Sequence, residues 1–341
     1  MLNYLSFVVS ASFFGSFALH RPDFLLVESP PLFLGMAGLW LSWWNRSKLI
    51  FNVSDLWPDS AVELGIVARD GLATRMAYWL EKICYRRAWL ITGQSKSIVE
   101  NIQQRFPRRP VFHLSNGVDT GFFSSDRKTA AARALLGTDE QFVAVYAGLH
   151  GLAQGLNQVL EVARVLASDS RFRFVLIGEG PEKGHLQKSA DEMGLSNVRF
   201  LDPLPHAEIP EILAAADVIL VPLVGRITGA VPSKIYEGMA SGRPLVVIAH
   251  EESADMVREF RVGLSVQPND IQGFARVLRQ LSDDVQLSNT LGENGRNTAV
   301  RHFRREDILK RFEWFLTANE NAAVLSSSAF VDTQTARVDG R

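Results

Sequence analysis

QFVAVYAGLHGLAQGLNQVLEVARVLASDSRFRFVLIGEG (residues 141–180) reads as strand, Gly-rich loop, helix, strand. FVAVYA and FRFVLI are unbroken apolar runs of strand length, the pattern required of a strand covered on both faces. LNQVLEVARVLAS, between them, spaces its apolar residues for one face of a helix. Outward from this unit, strand-like runs recur at FLLVES (24–29), KLIFNVSD (48–55), AWLITGQ (88–94) and VFHLSN (111–116), then at NVRFLD (197–202), DVILVPL (217–223), PLVVIA (244–249) and GLSVQP (263–268). Short apolar strands alternating with amphipathic helices predict an α/β protein with parallel sheets covered on both faces.

At 341 residues the chain is long enough for two such domains. The polar stretch 116–137, with three glycines, interrupts the strand series and reads as the hinge. The expected boundaries are 1–122 for the first domain and 123–300 for the second, then a C-terminal helix over 301–318 and a disordered tail over 319–341. Net charge is −1, which argues against a nucleic-acid partner. Residues 1–122 are nevertheless basic (12 Lys and Arg against 9 Asp and Glu) and hold six of the seven tryptophans. Cys84 is the only cysteine, which fits a reducing, cytoplasmic setting.

Residues 1–19 carry no charged side chain, but Asn3 and four serines interrupt them and no basic stretch precedes them. A helix buried or lying on a membrane surface is the first reading; a span or a signal peptide are the others. LGMAGLWLSWWNRSK (34–48) ends in three tryptophans followed by Arg46 and Lys48, and 74–90 mixes Tyr and Trp with Arg75, Lys82, Arg86 and Arg87. Interfacial tryptophans beside basic residues suit a protein held peripherally on an anionic membrane, expected to be the inner face of the plasma membrane. A Trp-rich core with solvated arginines is the other reading.

In open α/β sheets ligands gather at the carboxyl ends of the strands. Four second-domain loops qualify: 149–155, 178–184, 202–206 and 224–234. The last leads into GAVPSKIYEGMASGRP (229–244), where Pro232 suits the first helical position, Val231 the N-cap and Gly242 the stop. Val231 offers no side-chain oxygen, so the N–H groups of 229–233 are left for an anion, helped by the helix dipole. Gly229 and Ala230 let a phosphate approach, and Ser233 lies at the same helix start. Lys234 adds a charge-assisted bond worth about 1.5–3 kcal/mol, and Glu237, one turn on, can accept two ribose hydroxyls. An ordinary surface helix with a Lys–Glu pair worth about 0.3 kcal/mol accounts for the same residues. Gly178 and Gly180 let backbone pass close to a ligand or simply make a tight turn. His150 reads as an exposed loop histidine or a ligand contact, and Arg226 as a phosphate contact or a solvated loop residue.

NGVD (116–119), LIGEGP (176–181), VRFLDPLPHAEIPEILAAADVILVPL (198–223) and SKIYEGMASGRPLV (233–246) together resemble family 4 glycosyltransferases of the GT-B fold, over about residues 20–318. FNVSDLWPDSAVELG (51–65) is similar to bacterial transferases that build O-antigen, capsule or colanic-acid-like polysaccharide. The resemblance implies two Rossmann-like domains facing a cleft. It further implies a nucleotide-sugar donor, commonly UDP-linked, and a polyprenyl-diphosphate-linked saccharide acceptor. By resemblance Glu237 holds the ribose, Gly178 and Gly180 flank the nucleotide and Leu204 offers its backbone to the base. Lys234 and the N–H groups of Gly229, Ala230 and Val231 neutralise the departing diphosphate. Retention of anomeric configuration is implied, with the leaving phosphate taking the acceptor's proton. No Asp-x-Asp is present, so no metal cofactor is expected.

The sequence departs from the family pattern at Gly229, where the first Glu of E-x7-E would fall, and in GLHGLAQG, with Gln154 near the family's Lys. Ser54 replaces the His of an His-Asp pair, which leaves Asp55 as the candidate acceptor-side catalytic residue or a strand-end cap. The family's opening βα unit has no counterpart, so an incomplete first domain is expected. A nucleotide-sugar 2-epimerase on the same fold, or a nucleotide-binding fragment without an acceptor site, are the alternatives.

Overall fold

The computed structural model describes residues 2–225 and 228–320. It divides into two compact units: Met1–Ser115 together with the residues from Asp307 onward, and Asn116–Glu306.

The first unit runs α1 (Leu2–Ala18), β1 (Phe24–Ser29), α2 (Leu34–Asn45), β2 (Lys48–Val53), α3 (Asp59–Glu63), α4 (Leu72–Arg87), β3 (Leu90–Gly93), α5 (Lys96–Arg105) and β4 (Val111–His113). Its four strands form one parallel sheet in the order β1-β2-β3-β4. Phe51, Val53, Tyr85, Ile91 and Ile98 fill one core.

The second unit runs α6 (Ala130–Leu136), β5 (Phe142–Ala147), α7 (Asn157–Val165), β6 (Phe172–Ile177), α8 (Lys183–Glu192), β7 (Val198–Leu201), α9 (Ile209–Ala215), β8 (Val218–Pro222), α10 (Ser233–Ala240), β9 (Leu245–Ile248), α11 (Glu251–Glu259), β10 (Gly263–Val266), α12 (Ile271–Asp283) and α13 (Val285–His302). Its parallel sheet has the order β10-β9-β8-β5-β6-β7. The reason FVAVYA is apolar throughout is visible in β5: Val143 and Val145 enter one core, while Ala144 and Tyr146 enter the core on the opposite face. Chain order reverses between β8 and β5, and the carboxyl ends of these two strands flank the switch point where such sheets bind ligands.

Three boundaries differ from the sequence reading. Residues 116–137 are no hinge. Val118, Phe123, Ala132 and Leu136 are buried in the second unit's core. Arg133 on α6 donates to the carbonyls of Ala215, Thr138 and Gln141 and ion-pairs with Asp217 at 2.7 Å. Arg296 on α13 donates to the carbonyls of Thr120 and Phe123. The division therefore falls between Ser115 and Asn116, not after 122.

The helix expected over 301–318 is two: α13 ends at His302, and α14 (Arg305–Glu320) follows. α14 places Phe312 and Phe315 on Phe112 and packs with Ile50 and Leu90, closing a second core of the first unit. Of the tail expected over 319–341, residues 319 and 320 end α14 and the rest lies outside the described residues.

α1 lies on α2. Gly15 lets Leu41 approach, since a Cβ there would stand 2.9 Å from Leu41 Cδ2. The indoles of Trp40 and Trp44 donate to the Ser16 hydroxyl and carbonyl, both at 3.0 Å. Phe7, Phe13, Phe14 and Phe17 remain exposed. Among the described residues no helix is long and apolar enough to cross a membrane.

Candidate active site

The loops after β5, β6, β7 and β8 are tied edge to edge. Gly148 N–H donates to Ile177 O (2.8 Å), His150 N–H to Glu179 O (2.9 Å) and Glu182 N–H to His150 O (3.0 Å). Val224 N–H, after β8, donates to Ala153 O (2.9 Å). Lys183 links the β6 and β7 loops by bonding both Glu179 and Asp202.

This zipping explains two glycines. Gly178 has φ +139°, and a Cβ there would lie 1.9 Å from the Gly148 carbonyl oxygen. At Gly180 a Cβ would lie 2.3 Å from His150 O. Both glycines serve the contact between the β5 and β6 loops, which is neither the ligand approach nor the tight turn that the sequence suggests.

α10 begins one residue later than expected. Pro232, with φ −61° and ψ 143°, is the N-cap and Ser233 the first helical residue, because the Pro232 backbone is extended. Val231 is not the cap; its side chain is buried in the core. Among the described residues no side chain caps the helix. Among the described residues nothing accepts a hydrogen bond from the N–H groups of Gly229, Ala230, Val231, Ser233 or Lys234. Gly229 has φ +78°, and the Ala230 carbonyl is held by the Ser253 hydroxyl at 2.6 Å. Gly242, with φ +66°, stands just past the end of α10, as expected.

Lys234 lies across the switch point. A Cβ on Gly148 would come within 2.4 Å of Lys234 Cε and 2.5 Å of Nζ. Its Nζ is 5.5 Å from the centre of the Tyr146 ring. Tyr146 is fixed in turn by its hydroxyl donating to Leu149 O at 2.6 Å. Burial lowers the Lys234 pKa below the ordinary lysine value, and the field of Glu237 opposes this. Among the described residues no carboxylate ion-pairs with it. The structure thus brings together Gly148, the uncapped α10 start and Lys234, with Glu237 three residues along the same helix face.

His150 is fully buried, contrary to the exposed reading, packed by Tyr146 and Phe200, and neither ring nitrogen makes a hydrogen bond among the described residues. Burial first, then the Lys183 ammonium, lower its pKa, so the ring is neutral at neutral pH. Gln154 sits half-buried in the turn that ends at Gly155. Leu204, after β7, packs its side chain on the core. Arg226 lies outside the described residues.

The first unit has its own polar cluster, at the carboxyl end of its sheet. Register places Glu28 beside Asn52 and Asn52 beside Thr92. Thr92 donates to the Asn52 amide oxygen, and Asn52 and Ser54 both donate to the Glu28 carboxylate. Asp55 follows directly; burial raises its pKa, while bonds from Ser60 and the Leu56 backbone oppose the rise. Glu28, Asn52 and Thr92 were missed in the sequence. Their signal is a polar residue in the penultimate place of three apolar strands, FLLVES, KLIFNV and LITG. Among the described residues no group of His, Cys, Asp and Glu is arranged to hold a metal ion.

A parallel α/β unit with an uncapped helix start at its switch point, joined in one chain to a second parallel α/β unit, defines a protein of the GT-B glycosyltransferase fold. The chain belongs to the group 1 glycosyl transferases, whose pattern it matches over residues 128–298, and residues 2–117 match a glycosyl transferase 4-like domain. It is 26% identical over 297 residues to "Probable glycosyltransferase WbjE" of Pseudomonas aeruginosa, covering 86% of this chain and 74% of that one. To the lipopolysaccharide core biosynthesis glycosyltransferase LpsE of Rhizobium meliloti it is 29% identical over 259 residues, covering 75% and 71%. Its fold matches Alr3699/HepE of Anabaena, solved in complex with UDP, with TM-score 0.73 at 19% identity over 92% of this chain and 82% of that one.

Proposed function

We propose that the protein transfers a sugar from a UDP-sugar to a lipid-linked saccharide in cell-surface polysaccharide synthesis, working peripherally on an anionic membrane. The observation that carries this is the open start of α10 beside Lys234 at the β5–β8 switch point. The N–H groups of Gly229–Val231 and Ser233 receive the diphosphate, as helix starts do for anions. Lys234 stabilises the negative charge that develops as the glycosidic C–O bond breaks, where a preorganised cation is most effective. Glu237 accepts from the ribose hydroxyls. The acceptor hydroxyl oxygen forms the new bond to the anomeric carbon, its proton passes to the leaving diphosphate, and configuration is retained. Glu28, Ser54 and Asp55 are the candidate acceptor contacts. The UDP complex of HepE and the LpsE and WbjE relatives support the donor and the pathway class.

A thermal-shift series tests the donor site. UDP at 100 times its Kd is expected to add about 2.7 kcal/mol of stability, and Glu237→Ala should lose most of that gain while keeping the ligand-free Tm. If UDP stabilises Glu237→Ala as well as wild type, the ribose assignment is wrong. If no nucleotide stabilises wild type, the donor site itself is wrong.

A further inference from the structure

The first unit holds a cavity of about 770 Å³ whose walls are α2, α4 and the loops after β1 and β2. Met36, Trp40 and Trp43 come from α2, Met76 and Trp79 from α4, and Phe33 and Trp57 from the loops. Among the described residues that line it, Thr74 alone carries a hydroxyl, and that group is spent on the Ala68 carbonyl at 2.7 Å. The volume is in the range of small-ligand sites, yet the cavity offers almost no polar group to orient a polar molecule. Trp43, Met76 and Trp79 are each more than 60% exposed at its mouth, so among the described residues nothing covers the space.

Two further observations identify the occupant. α4 is basic on its exposed side: Arg75 and Lys82 stand four before and three after Trp79, and Arg86 continues the row, along the outer edge of the cavity. The one acid of α4, Glu81, is buried and paired with Arg105. The apolar slot therefore has an edge that attracts an anion. The cavity also opens at the carboxyl end of the sheet, since Trp57 and Pro58 line it two and three residues after Asp55, and Phe33 meets Trp57 ring to ring at 5.9 Å.

From the cavity, its cationic edge and its continuity with the Asp55 loop, we infer that this groove takes up a single isoprenoid chain of a polyprenyl phosphate, drawing it from the bilayer and leaving its anionic head beside Arg75 and the carboxyl end of β2. The inference rests on the lipid-linked acceptor proposed above, and it distinguishes a protein that grips one lipid from one that only lies on a charged surface.

The test uses the full chain and phosphatidylcholine vesicles carrying either a long-chain polyprenyl monophosphate or phosphatidylglycerol at the same molar fraction. Binding is read by tryptophan fluorescence and flotation. Wild type is expected to prefer the polyprenyl vesicles by about tenfold or more, because each buried methylene adds to the affinity. Ala73→Trp, at an exposed lining position, fills the groove and should abolish the preference; Met76→Glu should do the same. Leu309→Glu, an exposed leucine on α14 away from the groove, should retain it. Equal affinity for the two vesicle types would overturn the inference, as would a preference that survives Ala73→Trp. So would a concentration-dependent dimer that Met76→Glu disperses, since a second copy would then be the occupant. The UDP shift of Ala73→Trp, measured alongside, reports that the variant is folded. Loss of that shift in wild type counts against the donor reading alone and leaves the groove result standing.

Discussion

Lys234→Ala is expected to lower kcat for sugar transfer by about 100- to 1,000-fold, the usual loss when one preorganised charge stabiliser is removed, with a smaller change in the donor KM. The ammonium is held over the Tyr146 ring and against Gly148 with no ion-pair partner among the described residues, so the fold gains little from it. The variant's Tm should equal or exceed that of wild type. The pH dependence has a definite sign. In the folded protein burial holds the Lys234 pKa below 10.5. Between that lowered value and 10.5 the unfolded chain binds more protons than the folded one, so stability rises with pH across the window. Lys234→Ala should flatten the rise. A bound diphosphate favours the charged lysine, so UDP binding takes up a proton there and UDP affinity should fall as pH climbs toward 10.5. Calorimetric titration of UDP in buffers of different ionisation heat measures the proton. A Lys234→Ala enzyme with wild-type kcat would remove this residue from the mechanism.

Gly178→Ala should be the most destabilising small change in the second unit, by about 4 kcal/mol or more, a size reserved for changes the structure cannot relieve. Its φ of +139° is strained for any L side chain, and the added carbon would meet backbone, the Gly148 carbonyl oxygen, rather than a side chain that can turn away. If the protein stays folded, the 148–150 loop must move and the surface carrying Lys234 moves with it, so UDP stabilisation should fall too. Gly184→Ala is the control: it is helical, nothing lies within 4 Å of the new carbon, and it should be neutral or stabilising by up to about 1 kcal/mol. Denaturant melts of the two variants decide it, and equal midpoints would refute the packing argument.

The apolar runs of β5 and β6 gave the second unit away because a strand buried on both faces has no polar alternation to confuse it with anything surface-exposed. The start of α10 was legible to within one residue: Pro232 fits both the cap and the first turn, and only its extended ψ settles which. His150 was not legible. A histidine in a Gly-rich loop looks solvated, and nothing in LHGLAQG says that Tyr146 of β5 and Phe200 of β7 close over it. Residues 116–137 were misread for the converse reason. Their polarity is real, but Arg133 and Arg296 spend their charges on backbone carbonyls within the unit, which composition does not reveal. The Glu28–Asn52–Thr92 line needed strand register, which exists only once the sheet is assembled.

The rings of Phe312 and Phe315 cover Ile50, Leu90 and Phe112, so the first unit is finished by nearly the last described residues of the chain. During synthesis that apolar patch emerges early and stays uncovered until all of Asn116–Glu306 has been translated, roughly 10–40 s at about 5–20 residues per second. A nascent chain in that interval is a natural client for a holdase, and one released before Phe312 would carry a sticky half-domain that no amount of correct folding upstream could hide.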